Sequence, residues 1–415
     1  MSERKPMLSA AQALELLLAA AVPLQETETL PTEAANGRVL AAAVESTLNV
    51  PSADNTQMDG YAVRAADCAS GDALLPVSQR IPAGVVGQPL QPGSAARIFT
   101  GAMIPQGADA IVMQEQCEAS EVDGRPMVRV RAKPEPGEWV RRTGEDIRAG
   151  SVILVAGTRL RPQELGLAAS VGLACLPVRR RLRVAIFFTG DELAMPGEPL
   201  KPGAIYNSNR YTLRAYLENL GCTVGDFGIV PDNLEATRAA LRRAAEQHDL
   251  IITSGGVSVG EEDHVKPAVE AEGQLNLWQI AIKPGKPLAF GEVNKAPDKD
   301  GGKAFFIGLP GNPVSSFVTI LLFVRPFILR LQGVQDVTPH ALPLRADFGW
   351  DKTDRRNEFL RAKMNVQGGL DLFSNQGSAV LSSVAWADGL VDNPAGTIIN
   401  PGDTVRFLPF AQLLS

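Results

Sequence analysis

The sequence has few of the residues that bind transition metals or form disulfide frameworks. Its 415 residues include only four cysteines and three histidines. They are widely scattered, at Cys68, Cys117, Cys175, Cys222, His248, His264 and His340. Because no two cysteines form a C-x-x-C pair, the spacing predicts no zinc site, and it favours a reduced, cytoplasmic protein with cysteines in its interior.

Two common glycine-rich nucleotide motifs are also missing. The chain has no G-x-G triplet and no G-K-[ST] motif, which counts against an NAD-dependent enzyme and a P-loop ATPase. Positive charge is not in excess, because 40 Lys and Arg stand against 46 Asp and Glu, giving a net charge of -6. We therefore expect no nucleic-acid partner, and an anionic ligand would have to be bound by local basic clusters.

Long hydrophobic runs are scarce. The run at residues 13–21 follows basic residues as in a signal peptide, but Ser9 and Gln12 form a capping-box pattern that predicts a helix over residues 9–21. The run at residues 317–331 is interrupted by Arg325 and Pro326 and is shorter than the about 20 residues of a membrane span. Both runs therefore predict a soluble chain without a membrane segment.

The length predicts several domains, because one hydrophobic core rarely serves a chain of 415 residues. Helical patterns at residues 9–21, 32–43 and 162–169 suggest a discontinuous helical or mixed linker domain at residues 1–46 and 145–180. Short apolar runs separated by Gly and Pro predict a β-rich insert at residues 47–144. Residues 181–332 predict an α/β domain, and residues 333–415 a small β-barrel or sandwich.

The α/β segment alternates between apolar strands and helices, which predicts a central Rossmann-like domain with a parallel sheet covered on both faces. Ligands of such sheets bind at the carboxyl ends of the strands. Three loops follow predicted strands, at residues 189–192, 253–263 and 308–313. In the last loop, Asn312 suits a helix N-cap and Pro313 the first helical position.

The loop at residues 253–263 combines glycines, hydroxyls and carboxylates. Gly255 and Gly256 would let backbone N–H groups approach phosphate oxygens, and Ser254 and Ser258 add hydroxyl donors. The carboxylates that end with Asp263 suit Mg²⁺, which is usually held by one or two carboxylates and phosphate oxygens. A tight strand-to-helix turn would explain the glycines alone, so the combination favours a phosphate and magnesium site.

The sequence Lys-Pro-Gly-Lys-Pro at residues 283–287 is a second candidate site. It projects the ammonium groups of Lys283 and Lys286 close together, and their repulsion falls when an anion bridges them. A solvated surface turn is the alternative. The mixed-charge segment around Arg141 and the polar turn at residues 54–62 do not indicate function by local physics alone.

Seven motifs taken together resemble the molybdopterin molybdenumtransferase family, the bacterial MoeA type related to the C-terminal domain of gephyrin. They span nearly the whole chain in order: MDGYAV at 58–63, TGA at 100–102, GED at 144–146, TGDEL at 189–193, SGGVSVG at 254–260, KPGKP at 283–287 and PGNP at 310–313. The resemblance implies that the α/β domain is of the molybdopterin-binding type. It also implies Mg²⁺-dependent insertion of molybdate into adenylated molybdopterin, with release of AMP.

The resemblance further implies a homodimer whose site lies between the α/β domain of one chain and other domains of its partner. Other proteins of molybdenum cofactor biosynthesis are expected as further partners. Matching the motifs residue by residue implies a catalytic set of Asp59, Thr100, Asp146, Glu192, Asp232 and Asp263, with Glu192 and Asp263 near the metal. It implies a substrate-binding set of Arg141, Ser254, Gly255, Gly256, Ser258, Lys283, Lys286, Pro310, Asn312 and Ser378.

Two positions depart from the family pattern. Gln279 stands after Trp278 where relatives often have a lysine, and Phe188 replaces a small hydroxyl residue before Thr189. Neither removes a carboxylate, so activity is expected. Two other functions remain open: adenylyl transfer to molybdopterin, as in relatives that share the Ser-Gly-Gly loop, and a scaffold that binds protein partners, as in gephyrin.

Overall fold

The computed structural model describes residues 7–256, 264–295 and 302–414. These residues form three six-stranded sheets and four two-stranded pairs. One large apolar core joins the central sheet to helices from both ends of the chain. The domain ranges predicted from the sequence stay predictions, and the elements are described in chain order.

The N-terminal segment begins with a helix that closes on the central core. Its elements are α1 (Ala10–Ala20), β1 (Thr27–Pro31), a 3₁₀ turn (Thr32–Ala34) and β2 (Val44–Glu45). The predicted capping box is present, since the Gln12 amide N–H donates to Ser9 Oγ at 3.2 Å and the Ser9 amide N–H to Gln12 Oε1 at 2.9 Å. On α1, Leu17 is fully buried in the central core.

The helix predicted over residues 32–43 is wrong. Only the single 3₁₀ turn forms, because Gly37 adopts a left-handed conformation with φ of 73° that ends any helix there. Beyond it, the backbone pairs with a distant segment. The Gly37 amide N–H donates to Leu160 O at 2.7 Å, and the Leu40 amide N–H to Thr158 O at 2.9 Å.

A β-rich unit follows. Its strands are β3 (Asn55–Thr56), β4 (Gly60–Val63), β5 (Ala73–Ile81), β6 (Ala95–Ile98), β7 (Ala110–Met113), β8 (Cys117–Val122), β9 (Arg125–Val130) and β10 (Val140–Arg141). Six of them form a sheet in the order β7-β4-β6-β5-β9-β8. Tyr61 and Val63 pack in one apolar cluster and Ala62 in another, so β4 is buried on both faces of the sheet.

The chain then returns to the N-terminal segment. The elements here are β11 (Val152–Leu154), α2 (Pro162–Ser170) and β12 (Cys175–Arg179). β12 pairs antiparallel with β1, and β11 with β2. Leu40, Leu154 and Val178 share one apolar cluster, so residues on either side of the β-rich unit have a common core.

The α/β unit contains the central sheet. Its elements are β13 (Arg183–Thr189), β14 (Leu193–Ala194), β15 (Ile205–Tyr206), α3 (Ser208–Asn219), β16 (Thr223–Val230), α4 (Leu234–Gln247), β17 (Leu250–Ser254), α5 (Val265–Glu272), β18 (Gly273–Gln279), β19 (Ile282–Lys283), β20 (Pro287–Asn294) and β21 (Lys303–Leu309). The strand order is β16-β13-β17-β21-β20-β18. β16, β13, β17 and β21 are parallel, as predicted. β20 runs antiparallel to both of its neighbours, β18 and β21. The segments that connect β20 to these two strands are too short for a crossover helix.

A continuous apolar helix follows the sheet. It consists of α6 (Pro313–Thr319), a π-helical turn (Ile320–Val324) and α7 (Arg325–Leu331). Arg325 and Pro326 interrupt the apolar run of the sequence but not the helix, because this proline lies in the first turn of α7 after the π turn, where its missing N–H is tolerated. The 19-residue helix is long and apolar enough to cross a membrane, yet 83% of its most apolar stretch is buried inside the protein.

The C-terminal unit is a third mixed sheet with short helices. Its elements are β22 (Leu342–Arg345), β23 (Asn357–Met364), β24 (Leu370–Leu372), α8 (Leu381–Trp386), β25 (Gly389–Asn393), β26 (Thr404–Pro409) and α9 (Phe410–Leu413). The order is β19-β23-β25-β26-β22, with β24 paired to β23. Because β19 lies in the α/β unit, its pairing with β23 fixes the segment at Lys283 to the C-terminal sheet.

The packing of α1 can be tested with adjacent leucines. Leu17→Ala is expected to lower the free energy of unfolding by about 2–5 kcal/mol, because it leaves a cavity in the core. Leu16 is 46% exposed, so Leu16→Ala is the matched control and should change stability by less than about 1 kcal/mol. Urea denaturation followed by circular dichroism measures both, and equal losses would contradict this packing.

Candidate functional site

A cavity of about 1050 Å³ lies at the carboxyl edge of the parallel strands. The loops after β13, β17 and β21 line it, together with the start of α3, the segment that follows β19 and a loop of the C-terminal unit. Nine predicted site residues meet here: Glu192, Ser254, Gly255, Gly256, Lys283, Lys286, Pro310, Asn312 and Ser378. The sheet thus gathers the three loops as the strand pattern predicts.

Hydrogen bonds tie three of these loops together. Asn209 Nδ2 donates to Ser254 Oγ and to Gly311 O, both at 2.8 Å. Ser254 Oγ in turn donates to Pro310 O at 3.0 Å. The Ser254 hydroxyl therefore already has a donor and an acceptor within the protein, and a phosphate would have to compete for it. No sequence signal pointed to Asn209.

Gly255 occupies a position that requires glycine. Its φ is 97°, and a Cβ built there would lie 2.9 Å from Thr189 O. Gly256 also has a positive φ, of 63°. These angles turn the chain sharply after β17 and place the backbone of both residues at the cavity wall.

The two lysines of the segment after β19 differ in their partners. Lys283 Nζ lies 2.9 Å from Glu358 Oε1 and 3.5 Å from Asp354 Oδ2. Lys286 is exposed at the cavity and contacts no carboxylate in the part of the chain that the structure describes. Arg356 also lines the cavity, and its hydrogen bonds hold the pKa of the Asp354 carboxyl well below its ordinary value. Lys286 is therefore the cation most available to an anionic ligand.

A buried arginine supports the C-terminal wall of the cavity. Arg361 is 1% exposed, and its guanidinium donates to Gly377 O, Phe359 O and Ser383 Oγ. Burial lowers the pKa of this guanidinium to about 10. The Arg361 amide N–H donates to Gln376 Oε1 at 2.8 Å, which fixes the loop that carries Ser378. Arg361 was not among the site residues predicted from the sequence. A charged residue within the otherwise apolar stretch of residues 359–362 is the signal that could have identified it.

Asn312 occupies the N-cap position and Pro313 the first helical position, as predicted. The Asn312 side chain makes no capping hydrogen bond, and it is exposed at the cavity. The Val314 amide N–H instead donates to Ser378 O at 2.9 Å. This bond joins the helix start to the C-terminal loop.

Glu192 is the carboxylate of the cavity wall within the described residues. It is exposed and forms no ion pair with a described residue. No group of three or more His, Cys, Asp or Glu side chains gathers at one point in residues 7–256, 264–295 and 302–414. Ser258 and Asp263 of the predicted site lie outside the described residues.

Five predicted site residues among those described do not line this cavity: Asp59, Thr100, Arg141, Asp146 and Asp232. Two of them are joined, since Thr100 donates to Asp59 Oδ1 from Oγ1 at 2.6 Å and from its amide N–H at 2.8 Å. These hydrogen bonds lower the pKa of the Asp59 carboxyl. One chain therefore presents the predicted site residues as separate groups.

The two departures from the family pattern differ in position. Phe188 is fully buried and contributes to the cavity wall. Gln279 is the last residue of β18, and its carbonyl accepts a hydrogen bond from the Leu8 amide N–H. Only Phe188 therefore has a direct means of shaping the cavity.

The requirement for glycine at position 255 is testable. Gly255→Ala is expected to destabilise the fold by about 1–2 kcal/mol through its φ alone, with a further loss from the contact with Thr189 O. Gly311→Ala is the matched control, because a Cβ there would meet only Gly255 Cα, at 3.8 Å. Thermal unfolding of both variants checks this, and an equal shift would contradict it.

Models of known protein families match most of the chain. The MoeA N-terminal region (domain I and II) matches residues 8–172, a probable molybdopterin binding domain matches residues 185–330, and the MoeA C-terminal region (domain IV) matches residues 343–410. The probable molybdopterin binding domain contains the three strand-end loops that line the cavity.

Whole-chain relatives agree with these matches. A molybdopterin molybdenumtransferase of Haemophilus influenzae is 41% identical and covers 94% of this chain and 95% of its own length. A molybdopterin molybdenumtransferase of Bacillus subtilis is 35% identical and covers 92% of this chain and 90% of its own length. A solved molybdopterin biosynthesis MoeA protein of Pyrococcus horikoshii is 30% identical with a TM-score of 0.77, covering 98% and 99%. The predicted resemblance and fold class are confirmed, and the chain belongs to the MoeA family of molybdopterin molybdenumtransferases.

Proposed function

We propose that this protein is a transferase of molybdenum cofactor biosynthesis that inserts molybdate into adenylated molybdopterin and releases AMP. The observation that carries the proposal is the cavity in which the Gly255 turn, the Lys283–Lys286 segment and Glu192 meet. Its volume is at the upper end of small-ligand pockets, which are about 300–1000 Å³. This size suits a pterin joined to a nucleotide.

The charges of the cavity suit an anionic substrate. Lys286 is exposed without a carboxylate partner among the described residues, so it attracts the diphosphate and the molybdate dianion, whereas Arg356 lines the wall paired with Asp354. A Lys ammonium about 4 Å from a phosphate oxygen interacts by about 4 kcal/mol at an effective dielectric of 20, before desolvation. The turn at Gly255 and Gly256 lets substrate oxygens approach the backbone without a Cβ in the way.

Magnesium is proposed as the cofactor. The donor set fits, because Mg²⁺ usually takes one or two carboxylates with substrate phosphate oxygens, and Glu192 offers an exposed carboxylate at the cavity. When bound, Mg²⁺ neutralises developing negative charge on the phosphates. Glu192 would hold the metal, Lys286 would orient the diphosphate, and the Ser378 loop would close the anion-binding end.

We further propose a homodimer that acts in the cytoplasm. The separation of Asp59 and Thr100 from the cavity supports a second copy, because one chain does not bring the two groups together. In such a dimer the β-rich unit of one copy would complete the cavity of the other. Contacts with other proteins of molybdenum cofactor biosynthesis stay a prediction.

Turnover tests the reaction. Purified protein with adenylated molybdopterin, molybdate and Mg²⁺ is expected to release AMP, measured by chromatography.

Glu192→Gln should raise the Mg²⁺ concentration needed for half-maximal rate by at least about tenfold, equivalent to about 1.4 kcal/mol. Glu198→Gln is the control, because Glu198 is exposed, accepts from the Met195 amide N–H and does not line the cavity. No AMP release, or ATP consumption that needs no molybdate, would overturn the proposal.

Mixing two variants tests the shared site, at a Mg²⁺ concentration low enough that Glu192→Gln alone has little activity. Glu192→Gln removes a cavity carboxylate, and Asp59→Asn alters the separate group. If each site takes these residues from different copies, heterodimers of the two variants contain one intact site, and an equal mixture should regain about a quarter of wild-type activity. Chains are exchanged by mild denaturation and refolding, and the mass of the dimer is checked by light scattering. No recovery in verified heterodimers would argue against sharing.

A further inference from the structure

Two buried polar atoms at the cavity wall have no hydrogen-bond partner in the described part of the chain. They are Thr189 Oγ1 and Asn207 Nδ2. Thr189 is 4% exposed and Asn207 is 2% exposed, and both residues line the cavity. Buried polar groups are nearly always paired, because an unpaired one has lost its water without replacement. Two such atoms at one cavity indicate that their partner comes from a ligand.

The orientation of the Asn207 amide is fixed by the helix that it caps. Asn207 Oδ1 accepts from the Arg210 amide N–H at 3.1 Å, at the start of α3. The amide oxygen is therefore the end turned to the helix, and Nδ2 is the end left over. The Asn207 backbone is held as well, because its own N–H donates to Ala194 O at 3.0 Å.

Two neighbouring polar side chains of this wall are already satisfied. Ser254 Oγ and Asn209 Nδ2 bond to each other, to Pro310 O and to Gly311 O. They hold the loops in place. Among the described residues of the wall, Thr189 and Asn207 have the buried uncharged donors without a partner.

The Glu192 carboxylate lies close to the residue that follows Thr189, since a Cβ built on Gly190 would be 2.5 Å from Glu192 Oε2. The Ile205 amide N–H donates to Glu192 O at 2.8 Å, so the strand that leads to Asn207 is fixed beside Glu192. Lys283 and Lys286 lie on a different segment, fixed to the C-terminal sheet through β19. A neighbouring carboxylate repels an anionic group unless a metal ion lies between them, whereas an uncharged oxygen that accepts from these donors needs no metal.

We propose that Thr189 and Asn207 form an uncharged subsite that donates hydrogen bonds to a hydroxyl or carbonyl oxygen of the ligand. The inference rests on the proposed function for the nature of that ligand, an adenylated pterin. Both the sugar of the nucleotide and the pterin have such an oxygen, and either oxygen would accept hydrogen bonds from this subsite. Lys286 attracts the charged part of the ligand, and this subsite selects the uncharged part.

Calorimetry with three probes tests the subsite without requiring turnover. Thr189→Val removes the hydroxyl and keeps the shape of the side chain. It should lower the affinity for AMP or for neopterin by about tenfold, equivalent to about 1.4 kcal/mol, and leave the affinity for inorganic pyrophosphate unchanged. Loss with AMP assigns the subsite to the nucleotide, and loss with neopterin assigns it to the pterin.

The matched control is Thr253→Val. Thr253 Oγ1 is also buried and has no partner among the described residues, but Thr253 does not line the cavity. Removing the Thr253 hydroxyl should therefore not change the binding of any probe. Both valine variants should be at least as stable as the wild type, since each removes an unpaired polar atom. Asn207→Ser is a second variant, because serine keeps the helix cap but lacks the amide donor.

Four results would overturn the subsite: wild-type protein that binds neither AMP nor neopterin, unchanged binding in Thr189→Val and Asn207→Ser, the same loss in Thr253→Val, or an equal loss for pyrophosphate. A clear fall in the stability of Thr189→Val would also contradict it, because the hydroxyl would then have a partner within the fold. Selective loss of binding without AMP release in the turnover assay would support the subsite and reject the proposed reaction.

Discussion

The parallel alignment of β13, β17 and β21 is the constraint on which the site depends. Phe188 pairs with Ser254, and Ser254 pairs with Leu309, so the chain leaves the sheet at three adjacent points of one edge. The Asn209 amide then ties two of the loops that follow. Because hydrogen bonds hold Ser254 and Gly311 in place, this described part of the cavity wall needs little rearrangement for a ligand, which reduces the entropy lost on binding.

The same wall contains interactions that do not favour the folded state. Arg361 is buried, and no carboxylate contacts it within the described residues, so its guanidinium is held only by neutral oxygens. Thr189 Oγ1 and Asn207 Nδ2 have no partner among the residues that the structure describes. Groups of this kind cost stability in the absence of a ligand, and they are concentrated where proteins bind substrates. The cavity therefore has the features expected when stability is sacrificed for binding.

The sequence predicts the parts of this site that depend on local pattern. Alternating strands and helices predict the parallel sheet, and its strand ends predict that the loops containing Glu192, Ser254 and Asn312 meet. Contacts between distant segments are not predicted. Asn209 and Arg361 act through residues far along the chain, and the helix expected over residues 32–43 is replaced by backbone pairing with residues 158–160. Local propensity has no information about such partners.

The two lysines show why a motif alone does not assign roles. Lys283 and Lys286 stand in one short segment, yet β23 brings Glu358 to 2.9 Å from Lys283 and leaves Lys286 exposed. An anion that approaches Lys283 must compete with a carboxylate that is 1% exposed, whereas one that approaches Lys286 displaces only water. Salt therefore weakens the attraction of an anion to Lys286. The ion pair of Lys283 is screened by salt much less, because its carboxylate is buried. Lys283 thus holds the segment in place so that Lys286 can meet the ligand.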